Sequence, residues 1–182
     1  MLLCQAVAVN ETGWEERLAE AWASIDQRTE PEFLALIREL AAELPPDSAV
    51  GAFERAASFD STGHPDMAVP LYRAALDNGL SGERRRRAVI QMASSLRNLG
   101  QPEESVALLR AELEAGSDHL DDAVRAVLAL ALTDVGRARE AVSVALTALA
   151  PHLPRYQRSM ANYARLLVER SNGTEASDPD QR

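Results

Sequence analysis

The chain has 182 residues and a formal charge of −9, and its 19 basic residues are all arginine. An acidic chain repels phosphate backbones, which argues against nucleic acid as a partner. The absence of lysine excludes a phosphate-binding P-loop, Schiff-base catalysis and pyridoxal phosphate chemistry.

Residues 1–13 read as a flexible N-terminus. The opening "MLLCQAVAVN" places Cys4 after Leu3, as a lipidation site would, but lacks a basic leader and a sufficient apolar stretch. Cys4 is the single cysteine, so no internal disulfide forms and a reducing cytoplasm is the expected location. The arginine and alanine bias fits a GC-rich bacterial genome. No apolar run reaches the ~18–20 residues needed to span a bilayer, so no membrane role is expected.

From residue 14 onward the chain is rich in alanine and leucine and poor in strand formers, which favours helix. Gly and Pro divide it into segments predicted as helices at 14–27, 30–44, 48–62, 65–78, 82–99, 102–115, 119–135, 138–150 and 155–170. Thr29 and Glu32 have capping-box spacing, with Pro31 in the first turn. Asp47, Ser81 and Asp118 are candidate N-caps, and Gly79 and Gly116 are candidate terminators. The last stretch, 171–182, is polar and reads as a disordered tail.

Three segments align without gaps: "GHPDMAVPLYRAAL" from Gly63, "GQPEESVALLRAEL" from Gly100 and "GRAREAVSVALTAL" from Gly136. A small residue stands seven before each glycine (Ala56, Ala93, Ala129) and five after it (Ala68, Ser105, Ala141). Two helices approach closely only where both carry small side chains, so the pattern describes helical hairpins with the glycine at the turn. One hairpin cannot bury its apolar stripe alone, and hairpins of this kind stack.

These residues resemble the tetratricopeptide repeat family, in particular its small bacterial single-domain members. The central repeat matches through Met92-Ala93, Leu96, Gly100, Ser105, Leu109 and Leu113. The third matches through Leu128-Ala129, Leu132, Gly136, Ala141, Ala148 and Leu149. The first matches through Ala56, Phe59, Gly63, Ala68, Tyr72, Ala75 and Leu76. Arg55, Glu112 and Arg125 depart from the family pattern. The resemblance implies an all-α, right-handed superhelical solenoid of antiparallel helix hairpins, about nine helices in all. Its expected divisions are a repeat domain at 14–170, made of an N-terminal pair (14–46), repeats at 47–80, 81–117 and 118–153, and a capping helix (154–170).

In this register His64-Pro65-Asp66, the tripeptide of J-domain co-chaperones, falls where the other repeats carry Gln101-Pro102-Glu103 and Arg137-Ala138-Arg139. The turn accounts for Gly63 and Pro65, and no basic helix precedes the tripeptide. It is read as a hairpin turn.

The resemblance also implies a concave groove lined by the first helix of each repeat. The register points Arg87, Ile90, Ser94, Arg97 and Asn98 inward from the central repeat, and Arg158, Ala161, Arg165, Val168 and Glu169 from the last helix. From the third repeat it points Ala123, Ala126, Leu130, Thr133 and Asp134 inward. From the first it points Val50, Phe53, Ala57, Asp60 and Ser61. Arginine suits bidentate carboxylate binding. Arg87, Arg97, Arg158 and Arg165 are therefore candidates to hold an acidic segment or a C-terminal carboxylate, with Asn98 bonding its backbone. The alternative is that they pair with the protein's own Asp and Glu.

The run Arg84 to Arg87 spreads around its helix and reads as mostly solvated. His64, His119 and His152 lie in separate turns with no metal spacing, and no cofactor is expected. The function expected is non-enzymatic: a protein-interaction scaffold, or a homodimer assembled through the groove or through an apolar edge with Trp14, Trp22 and Phe33 on the N-terminal pair.

Overall fold

The computed structural model describes residues 11–174, and every regular element among them is helical. The α-helices are α1 (Glu11–Ala23), α2 (Glu30–Ala42), α3 (Ala49–Ser61), α4 (Pro65–Asp77), α5 (Gly82–Asn98), α6 (Pro102–Ala115), α7 (Asp121–Asp134), α8 (Ala138–Leu149) and α9 (Gln157–Thr174). Short 3-10 turns follow α1 (Ile25–Gln27) and α8 (Ala150–His152). Neighbours in sequence pack on one another. The expectations for Cys4 and for residues 175–182 lie outside the described residues. Residues 11–13 and 171–174, expected in the two flexible ends, are helical.

The helix starts follow local chemistry. Glu32 accepts from both the backbone N–H (2.9 Å) and the hydroxyl (2.6 Å) of Thr29 at the head of α2. Pro65 and Pro102 open α4 and α6, where a missing N–H costs nothing. Ser48, rather than Asp47, caps α3 by accepting from Gly51 N–H. The cap of α7 is Leu120, and Asp118 instead accepts from the Leu120 N–H at 2.7 Å in the turn before the helix.

The three hairpin turns share one geometry. Gly63, Gly100 and Gly136 adopt φ of 85°, 76° and 77°, the left-handed region that L side chains avoid. The next residue donates its N–H five residues back: His64 to Phe59 (2.9 Å), Gln101 to Leu96 (3.0 Å) and Arg137 to Leu132 (2.8 Å). This bond closes the last carbonyls of the first helix. His64-Pro65-Asp66 is thus built like its two counterparts, and His64 Nε2 also meets Glu30 Oε1 at 2.6 Å.

The chain divides into two compact units between Ala88 and Val89, inside α5. A stack of hairpins has no single centre, because each repeat contacts only its neighbours.

In the first unit, Trp14, Leu18, Ala21, Phe33, Ile37 and Leu40 form the core of the N-terminal pair. Trp14 Nε1 donates to the Leu40 carbonyl at 2.9 Å, and Trp22 meets Phe33 edge-on at 5.1 Å. Trp14 and Phe33 are 2% and 1% exposed, so the apolar edge expected on this pair is turned inward. In the hairpin α3–α4, Ala56 and Ala68 are both fully buried, as close approach requires, beside Phe53 and Tyr72. Burial, then the Asp60 carboxylate, pushes the Tyr72 phenol far above its usual range.

In the second unit, Ala93, Val106, Leu109, Val124, Leu128, Ala129, Leu132 and Ala141 share one core drawn from α5, α6, α7 and α8. The small residues again lie inside: Ala93 and Ser105 at 0%, Ala129 and Ala141 at 8% and 5%. α9 joins by packing on α8, where Ser143 Oγ donates to the Ala164 carbonyl at 2.6 Å.

Candidate partner-binding face

The alternation of buried and exposed residues on α7 is clean. Val124, Leu128, Ala131 and Leu132 enter the core, while Ala123, Ala126, Leu130, Thr133 and Asp134 face solvent. Three- and four-residue steps place the latter on one stripe. Its first two side chains are alanines, so Leu130, half of whose surface is accessible, stands above a low floor. These are the residues expected to line the groove from the third repeat.

On α5, Ile90 is half-buried against the core of the second unit, and Ser94 is half-buried beside it in the helix face. Asn98 is exposed. Arg97 forms an ion pair with Asp134 of α7 and donates from Nη1 to Asn98 Oδ1 at 3.5 Å. That pair sets the ends of α5 and α7 side by side. Ala93 and Ile90 of α5 also share a core with Val124 and Leu128 of α7.

The remaining candidates are arranged differently. Arg165 pairs with Glu169 one turn along α9 and donates to Asn162 Oδ1 at 2.8 Å. Arg158 is exposed and has no ion-pair partner among the described residues. In the first unit, Arg87 is exposed and its guanidinium carbon lies 5.4 Å from the centroid of the buried Phe53 ring, a cation–π contact. Phe53 and Ala57, expected on the inward face of the first repeat, are buried in the hairpin.

Hence the four arginines are not four free cations. Two are held by the protein's own carboxylates and one by an aromatic face, because i to i+4 spacing and the α5–α7 neighbour relation bring partners within reach.

The run at the head of α5 is also less solvated than its sequence implies. Arg84 Nε donates to Glu54 Oε1 at 3.0 Å and its Nη2 to Glu15 Oε2 at 2.6 Å. Trp22 Nε1 donates to the other Glu54 oxygen at 2.9 Å. Glu54 is 3% exposed, so this network satisfies a buried carboxylate. Arg86 is buried as well. No periodicity argument could find this network, since Glu15, Glu54 and Arg84 are distant in sequence and meet only through the packing of three helices.

Among the described residues no group of three or more His, Cys, Asp or Glu could hold a metal ion. None of the described helices is long and apolar enough to cross a membrane.

Three helical hairpins with identical glycine turns and buried small residues define a helical-repeat protein. The family profile of the Tetratrico peptide repeat matches residues 49–167. The chain belongs to the tetratricopeptide repeat family, whose domains are generally protein-interaction modules without catalytic activity. The match begins with α3, so the pair α1–α2 precedes it. No curated protein matches the chain.

Proposed function

We propose that this protein is a non-enzymatic interaction module whose α5–α7 face in the second unit takes a segment of a protein partner. The observation that carries the reading is the exposed stripe on α7. A half-accessible leucine above two alanines, bordered by the Arg97–Asp134 pair and Asn98, offers an apolar anchor with polar groups at its edge. An extended peptide or a helix would place an apolar side chain against Leu130 and draw a backbone hydrogen bond from Asn98. An acidic group on the partner would compete with Asp134 for Arg97, which makes acidic-segment binding an exchange of carboxylates.

The test is capture from a lysate of the source organism, with bound proteins identified by mass spectrometry. Wild type is compared with Leu130→Glu, with Arg97→Glu and with Ala107→Glu on an exposed position of α6. The reading expects a partner retained by wild type and Ala107→Glu and lost by Leu130→Glu. Equal capture by all four proteins would refute it.

A further inference from the structure

The first repeat differs from the other two at one row of its first helix. The residue before each small site is Met92 in α5 and Leu128 in α7, 6% and 3% exposed, but in α3 it is Arg55, which is exposed. Leu128 shares a core with Leu109 of the helix before it. The helix before α3 is α2, and between these two the space is open. Two hollows, of about 370 and 420 Å³, lie there.

Arg38 of α2 and Arg55 of α3 line both hollows, so one guanidinium from each wall stands at their boundary. Ala35 and Phe59 lie on one side of the pair, Ala42 and Ala52 on the other. The start of α2 thus faces the end of α3, and the groove runs between antiparallel helices. Each wall has the same spacing, with the arginine near the middle of a seven-residue step: Ala35, Arg38 and Ala42 on one, Ala52, Arg55 and Phe59 on the other. Seven residues of helix rise about 10.5 Å.

Both arginines are exposed, and neither has a hydrogen-bond or ion-pair partner among the described residues. No carboxylate lines either hollow. The acids of α2 and α3 are engaged elsewhere: Glu30 by His64, Glu32 by Thr29, Glu43 by Arg17, and Glu54 by Arg84 and Trp22. Glu39 lines a separate hollow with Arg17 and Glu43. In a chain of charge −9, this groove is a positive spot between two largely apolar hollows.

We propose that the α2–α3 groove docks an acidic amphipathic helix of a protein partner. A carboxylate of that helix bonds Arg38 and Arg55, and apolar side chains on either side of it enter the hollows. The arginine pair selects the acid, since guanidinium forks match carboxylates. The distance selects the helix. Residues seven apart share one helix face, with a residue three or four along between them. An extended segment covers the same reach in about three residues, and its two end side chains then point to opposite faces. This goes beyond the partner-binding reading. The groove lies in the first unit, and α2 precedes the family match.

The experiment is fluorescence anisotropy of the full chain with a labelled, alanine-based helical peptide carrying two leucines seven residues apart and glutamates midway. Matched peptides carry glutamine or arginine for the glutamates, or alanine for the leucines. Wild type and Leu130→Glu are expected to bind the glutamate peptide alike, at least about tenfold tighter than the glutamine peptide, the scale of charge-assisted hydrogen bonds. Arg38→Glu combined with Arg55→Glu is expected to lose the glutamate peptide and to prefer the arginine peptide. Both positions are exposed, so the double variant stays folded, which circular dichroism checks. Equal binding by wild type and the double variant, or no binding by wild type at millimolar peptide, overturns the proposal. Equal binding of the peptide without leucines makes the arginines a plain anion site and overturns it too. Binding lost in Leu130→Glu but kept in the double variant would place the peptide on the α7 face and overturn it equally.

Discussion

Replacing Ala93 with tryptophan tests the hairpin packing at its tightest point. Ala93 is fully buried and shares its core with Val106, Leu109, Val124, Leu128 and Ala129. An indole adds nine heavy atoms beyond the Ala93 Cβ where no surface is accessible, so α5 must move away from α6 or the neighbours must leave their rotamers. Overpacking of this kind costs roughly 1–3 kcal/mol, and a side chain this large belongs at or above the upper end. Leu99→Trp is the matched control: Leu99 lies on the turn just past α5 and is 39% exposed, so its effect stays within about 0.5 kcal/mol. The assay is urea unfolding followed by circular dichroism, comparing midpoints at constant slope. An Ala93→Trp midpoint equal to wild type would refute the register, and with it the assignment of every residue on the proposed face.

Further outcomes follow from particular contacts. The buried Ser105 hydroxyl has no hydrogen-bond partner among the described residues, and the other repeats have alanine there; Ser105→Ala should stabilise by about 1 kcal/mol in the same urea assay. Glu54→Ala strips Arg84 and Trp22 Nε1 of a buried acceptor and should cost roughly 2–4 kcal/mol, less than a fully enclosed pair because Arg84 retains some solvent. Gly100→Ala places a Cβ in open space at φ 76°, so its cost is conformational alone, about 1–2 kcal/mol, and Gly100→Asn should cost less. His152 first, and Arg125 second, hold the Asp122 carboxyl below its ordinary value of 3.8. A depressed carboxylate contributes stability above its unfolded value, and that stability is lost as pH falls through the folded value. The urea midpoint of wild type should therefore drop more steeply below pH 3.8 than that of Asp122→Asn.

Most helix boundaries were legible because they are written in local chemistry. Pro65 and Pro102 start α4 and α6 at the positions read from the sequence, and the glycines at 63, 100 and 136 end the first helix of each hairpin by φ alone. The small-residue pairs were legible because close packing admits little else. The end of α9 was not: 171–182 is polar without apolar periodicity, yet the helix continues to Thr174. Exposure on α7 followed from periodicity, so Leu130 and its neighbours share one accessible stripe. The arginines did not follow, because a guanidinium reaches across helices, and the choice between a ligand and Asp134 or Glu169 is made by packing. The exposure of Val142 and Leu149 on α8 was not legible for a related reason. Val142 and Leu149 match their counterparts in type, and only the placement of α9 leaves them uncovered.

The most direct test of the proposed face is site-specific photo-crosslinking. A photoreactive residue at position 130 is compared with one at position 107, an exposed site on α6 away from the α7 stripe. The account expects a partner adduct from position 130 and none from position 107. Adducts only at 107, or at both equally, would contradict it.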